Sequence, residues 1–113
     1  MGSDQAYMLD IVQAARLALE YVQDVSREEF LCDVRLQDSV IRRIEIIGEA
    51  ARRVSSATQE AHPDITWAEM IGMRNFLIHD YGAVDMEVVW DTVQHNLPDL
   101  IAQLEPIVPG ETT

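Results

Sequence analysis

The sequence predicts an all-α protein, an antiparallel bundle of four main helices. Apolar residues recur at steps of three and four through long segments. Capping residues stand where those segments begin. No stretch shows the sustained alternate-residue pattern, bounded by hairpin signals, that a sheet requires.

The first helix spans residues 4–25, with Met8, Ile11, Ala15, Leu19 and Val22 on one face and Asp10, Arg16, Glu20 and Asp24 on the others. Asp4 lies where an anion suits the positive end of a helix. Ser26 and Glu29 have the spacing of a reciprocal cap, and Phe30 opens the next apolar pattern. From there Val34, Ile41 and Gly48 fall seven apart, as do Val40, Ile47 and Val54, with Ile44 and Ala51 between them. The repeat predicts one long second helix packed along its length. Gly48 costs such a helix about 1 kcal/mol against Ala, which is understandable if another backbone approaches closely. Arg42, Arg43, Glu45, Glu49, Arg52 and Arg53 occupy the remaining faces as a solvated surface of short-range ion pairs.

Residues 55–65, with Ser55, Ser56, Thr58, His62 and Pro63, read as a connection. Thr66 and Glu69 repeat the capping signature, and Trp67, Ile71 and Ile78, with Met70 and Leu77 beside them, form the stripe of a third helix ending near Gly82. Asp85 caps a fourth carrying Val88, Val89, Val93 and Leu97. Pro98 should kink or restart the chain before Leu100, Ile101 and Leu104. An extra short helix or a C-terminal kink is compatible with this plan. Residues 1–113 read as one domain, without repeat or linker, and about 106–113 as a frayed tail.

Hydrophobic residues make up 48% of the 113 positions and charged residues 25%, a balance that supports a core without metal or disulfide. The lone Cys32 suits a reducing compartment. No apolar run approaches the roughly 20 residues of a membrane span, so the expected location is cytoplasmic, with no membrane partner. Eight basic residues, all Arg, stand against 20 acidic ones, giving a net charge of −12. This excludes the broad cationic surface of a general nucleic-acid binder, so any such contact must be local, and a basic partner protein is favoured over the surface as a whole. Five arginines fall between positions 35 and 53, and none follows Arg74.

The chain has no phosphate-cradling glycine loop, paired-cysteine metal motif, H-E-x-x-H or G-x-S-x-G elbow. His62 reads as a loop residue and His95 as a structural residue late in the fourth helix. His79 differs. Residues Arg74, Asn75, Phe76, Leu77, Ile78, His79, Asp80 and Tyr81 place a guanidinium, an amide, an imidazole, a carboxylate and a phenol in eight positions. Arg74 falls on the stripe of Trp67, where an unpaired guanidinium needs an anion or an opening. Gly72 and Phe76 share the opposite side, so the third helix is apolar on two sides, as expected if the second side meets another copy of the chain across a two-fold axis.

Arg74 and His79 lie ~140° apart on a straight helix, so either the helix bends near His79 or two chains contribute to one site. Without metal or cofactor, an Arg suits a phosphodiester and an imidazole exchanges protons near neutrality. RNA supplies its own nucleophile, the 2′-hydroxyl, and cleavage through it gives a 2′,3′-cyclic phosphate and a 5′-hydroxyl.

Arg74, Asn75, His79 and Tyr81 resemble the R-x-x-x-x-H-x-Y motif of HEPN-domain proteins, specifically the HepT-like toxins of toxin-antitoxin pairs. The resemblance extends to Ile46-Ile47-Gly48-Glu49-Ala50, to Pro63-Asp64-Ile65 with Trp67, and to Gly72-Met73, and covers about Tyr7 to Leu104. It implies a HEPN-like bundle that dimerises with its motifs at a shared cleft, and a metal-independent endoribonuclease in which Arg74 and His79 are catalytic. Asn75 and Asp80 would support the site, and Gly72 and Phe76 would lie at the homodimer interface. It further implies a nucleotidyltransferase antitoxin that can transfer AMP to Tyr81, repelling RNA by added charge and bulk. The alternative is a catalytically silent helical subunit whose task is to bind that nucleotidyltransferase.

Overall fold

The structure, a computed structural model, describes residues 2–79 and 85–108, and for 74–79 the backbone alone. Every regular element among the described residues is helical. The first, α1 (Gly2–Tyr21), ends short of the predicted boundary because the chain reverses through Asp24, whose φ of 62° lies in the left-handed region. Its stripe is as predicted: Met8, Ile11, Ala15 and Val22 are buried, with Leu19 partly so.

The long second helix is two helices. Ser26 and Glu29 form the predicted capping box at the start of α2 (Arg27–Cys32), with Oγ accepting from the Glu29 amide at 3.0 Å and Glu29 Oε1 from the Ser26 amide at 2.8 Å. Asp33 then adopts an extended conformation, φ −113° and ψ 96°, and its carboxylate caps α3 (Val34–Arg53) through the Leu36 amide at 3.1 Å. A residue able to cap from its side chain offers the backbone an exit that an apolar residue would not. The break turns fully buried Phe30 onto Trp90, ring centroids 5.3 Å apart, and buried Gln37 donates to the Phe30 carbonyl at 2.9 Å. It also separates the two predicted heptads. Val40, Ile47 and Val54 are core, whereas Ile41 is half-buried and Val34 is 66% exposed.

The predicted connection after α3 contains α4 (Ser56–Ala61), capped by Ser55. Gln59 Nε2 donates to the Val54 carbonyl at 3.0 Å and the Ala51 carbonyl at 3.4 Å, satisfying groups that the end of α3 leaves open. Asp4, in the first turn of α1 as expected, also serves this joint: it is 7% exposed and accepts from the Ser55 hydroxyl and amide and from the Thr58 hydroxyl. These bonds set the start of α1 against the end of α3, so the two helices run antiparallel.

Next comes α5 (Trp67–His79), packed along α3. Asp85 caps α6 (Met86–Asp91) as predicted, accepting from the Glu87 amide at 2.9 Å. Pro98 stands in the first turn of a new α-helix, the restart expected. A π turn at Thr92–Asn96, in which the Leu97 amide donates to the Thr92 carbonyl, leads directly into α7 (Leu97–Leu104). The wider turn absorbs the donor that proline lacks and keeps Val93, Leu97, Leu100 and Leu104 buried. Helical structure continues in a 3-10 turn at Glu105–Ile107, and Val108 is buried, two residues beyond the point where fraying is expected to begin.

Candidate functional site

The candidate residues lie on α5, so the anchoring of that helix determines their placement. Trp67 and Met70 are buried, and the Trp67 indole N–H donates to the His62 carbonyl at 3.1 Å. His62 is thus half-buried and serves through its backbone as the C-cap of α4. The Thr66 amide donates to Gln103 Oε1 of α7 at 3.4 Å, in place of the expected return bond from Glu69. The start of α5 is thus tied by single hydrogen bonds to the end of α4 and to α7, and the helix packs against α3.

Helical register then divides the motif. Arg74 stands seven residues after Trp67, so its backbone continues the buried face. His79 stands seven residues after Gly72, which is exposed. A Cβ added at Gly72 would meet nothing within 4 Å, so this face of α5 is open in the protomer. Asn75 follows half-buried Ile71 by four residues, and Phe76 follows Gly72 by four. The backbone is α-helical throughout Trp67–His79. Asp80 and Tyr81 lie outside the described residues.

The Ile46–Ala50 segment has two faces. Ile47 and Gly48 are buried, while Ile46, Glu49 and Ala50 line a groove of about 130 Å³ with Tyr7, Asp10 and Arg53. Of the α3 arginines, Arg42 meets Glu45 at 3.6 Å and Arg53 meets Glu49 at 3.4 Å, the short-range pairs expected. Arg43 Nε is buried without a partner among the described residues. His95 is exposed in the π turn. No three His, Cys, Asp or Glu among the described residues are grouped to hold a metal ion. No helix among the described residues is long and apolar enough to cross a membrane.

Residues 11–107 match the family model described as ribonuclease HepT-like. The chain belongs to the HepT-like ribonuclease family. It is 41% identical over 105 residues to the "Probable ribonuclease HepT" of Thermococcus cleftensis, covering 93% of this chain and 96% of the relative. It is 35% identical over 101 residues to the "Putative RNase MJ1380" of Methanocaldococcus jannaschii, covering 89% and 93%. No solved structure matches it. Within this HepT-like chain the matched span includes all of α3 and α5, and therefore every candidate residue from Gly72 to Tyr81.

Proposed function

We propose that this HepT-like protein is the toxin of a toxin-antitoxin pair, a metal-independent endoribonuclease whose site forms between two copies of the chain. The observation that carries the reading is the register of α5. Arg74 and His79 continue opposite faces of one uninterrupted helix, so a single straight helix does not bring both to one phosphate. A second copy packed on the Gly72 and Phe76 face, across a two-fold axis, would bring two sets of the motif to one cleft. The names of the relatives support RNA as the substrate.

In this mechanism one His79 imidazole takes the proton of the ribose 2′-hydroxyl. The 2′-oxygen attacks the adjacent phosphorus, and the bond to the 5′-oxygen breaks. The His79 imidazolium of the other copy protonates that leaving oxygen. Arg74 holds the phosphate and offsets its developing charge, with Asn75 and Asp80 supporting the arrangement. The products are a 2′,3′-cyclic phosphate and a 5′-hydroxyl. A nucleotidyltransferase antitoxin would restrain the enzyme by transferring AMP from ATP to the Tyr81 oxygen with release of pyrophosphate, which adds negative charge beside the cleft.

Cleavage of a labelled RNA in excess EDTA tests the reading, with the fragment ends identified and Tyr81 checked by mass spectrometry. Cyclic-phosphate ends, and a rate lowered at least ~100-fold by His79→Ala, are expected, since a positioned acid or base contributes about 10²–10⁴. Absent cleavage by the unmodified protein, with no adduct on Tyr81, would replace this reading with that of a silent subunit that binds the nucleotidyltransferase.

A further inference from the structure

The function proposed above brings RNA, a polyanion, to a chain of net charge −12. The distribution of that charge decides what the RNA meets. Exposed carboxylates stand on α1 (Asp10 and Glu20), α3 (Asp38), α5 (Glu69), α6 (Asp91) and α7 (Asp99). None of these six is in an ion pair among the described residues. The negative field therefore surrounds the bundle and includes the first turn of the helix that carries the motif.

The cations offset little of it. Arg16 is engaged with Glu105, Arg27 with Glu87 at 2.8 Å, Arg42 with Glu45 at 3.6 Å and Arg53 with Glu49 at 3.4 Å. Arg43 is half-buried. The chain contains no Lys, and no Arg follows Arg74. Such a surface slows the approach of a polyanion, the reverse of the attraction that raises association rates by about 10–10³. The repulsion reaches about a Debye length, ~10 Å at 0.1 M salt and ~30 Å at 0.01 M. RNA whose phosphates already carry bound cations escapes it, because the acidic surface meets the cations rather than the phosphates.

We propose that the substrate of this protein is RNA whose phosphates are neutralised by a bound polycation, a basic protein segment or a polyamine, rather than free RNA. This rests on the ribonuclease reading and names its substrate class. The test measures kcat and KM on an unstructured, labelled RNA of about 20 nucleotides in excess EDTA, from ~0.02 to ~0.2 M salt, with the RNA free, with spermine, or with poly-L-lysine at charge equivalence. On free RNA kcat/KM should rise about tenfold across the series, through KM and with kcat unchanged. At the lowest salt a polycation should produce the same gain. A gain from poly-L-lysine alone assigns the natural cation to a protein, and a gain from both extends it to polyamines. Asp10→Asn/Glu20→Gln/Asp91→Asn/Asp99→Asn removes four charges outside the motif and should raise kcat/KM on free RNA at low salt about threefold. Circular dichroism establishes that this variant is folded. A kcat/KM on free RNA that falls with salt, or neutralised RNA cleaved no faster than free RNA, would overturn the proposal and leave the ribonuclease reading in place. No cleavage under any condition, with no adduct on Tyr81, would remove both.

Discussion

Asp4 accepts a hydrogen bond from the Ser55 hydroxyl at 2.6 Å across 51 residues of sequence, with the Ser55 amide at 3.0 Å and the Thr58 hydroxyl at 2.6 Å completing the set. One carboxylate therefore joins the start of α1 to the cap of α4. Three donors to the charged form, the Ser55 hydroxyl foremost, hold its pKa below the ordinary 3.8.

A depressed carboxylate pKa contributes stability that is complete above the unfolded-state value and lost as pH falls through the folded-state value. Asp4→Ala should therefore lower Tm at neutral pH, and the gap from the unmodified protein should close as the solution is acidified below the ordinary 3.8. Melts from neutral pH down to strong acid check this. A gap that stays constant throughout would show that the carboxylate's charge has no part in the joint.

Asp33 ends one helix and caps the next, its carboxylate 3.1 Å from the Leu36 amide. Asp33→Ala should destabilise the fold by about 1 kcal/mol, within the 0.5–2 kcal/mol range of lost N-caps. Urea unfolding measures it. A midpoint equal to that of the unmodified protein would mean that α2 and α3 do not depend on this cap.

Phe30, fully buried against Trp90, ties α2 to α6 together with the Arg27–Glu87 ion pair at 2.8 Å. Phe30→Ala should cost about 3–5 kcal/mol, and the near-ultraviolet dichroism of the tryptophans should change with it. The exposed pair contributes far less, so Arg27→Gln should cost no more than about 1 kcal/mol. Equal effects of the two substitutions would reverse this ranking.

Gly72 has open space around its would-be Cβ, so Gly72→Ala should stabilise α5 within the protomer by up to about 1 kcal/mol. Gly72→Trp should keep the helical content while converting the proposed dimer to monomer and abolishing RNA cleavage. Light scattering after size exclusion, alongside circular dichroism, tests both halves. A Gly72→Trp protein that is still dimeric and active would move the interface to another face.

Much of the helical plan was legible because it is written in local signals. The Met8, Ile11 and Ala15 stripe, the Ser26–Glu29 box and the Asp85 cap each depend on residues a few positions apart, and each is present. The break at Asp33 was not legible, because an Asp within an otherwise continuous heptad becomes a cap only when Phe30 gains by turning toward Trp90, 60 residues away. The restart at Pro98 was legible from the proline itself, whereas the π turn at Thr92–Asn96 ahead of it was not. For the proposed site, the spacing of Arg74 and His79 and their ~140° separation were both legible from helical geometry. The structure added that Trp67 is buried and that the space around Gly72 is open.

The sequence by itself determined that the chain is helical, where most of its helices begin, and that one segment concentrates the polar groups of the proposed site. Periodicity and capping act over three or four residues, within reach of the chain's own neighbours. Only the tertiary structure decided that Val40, Ile47 and Val54 rather than Val34 form the core seam, and that Asp4 closes a joint 51 residues away. It also decided that Arg35 and Arg42 face outward. Burial depends on which distant elements come to lie against a face, and that is a property of the assembled bundle.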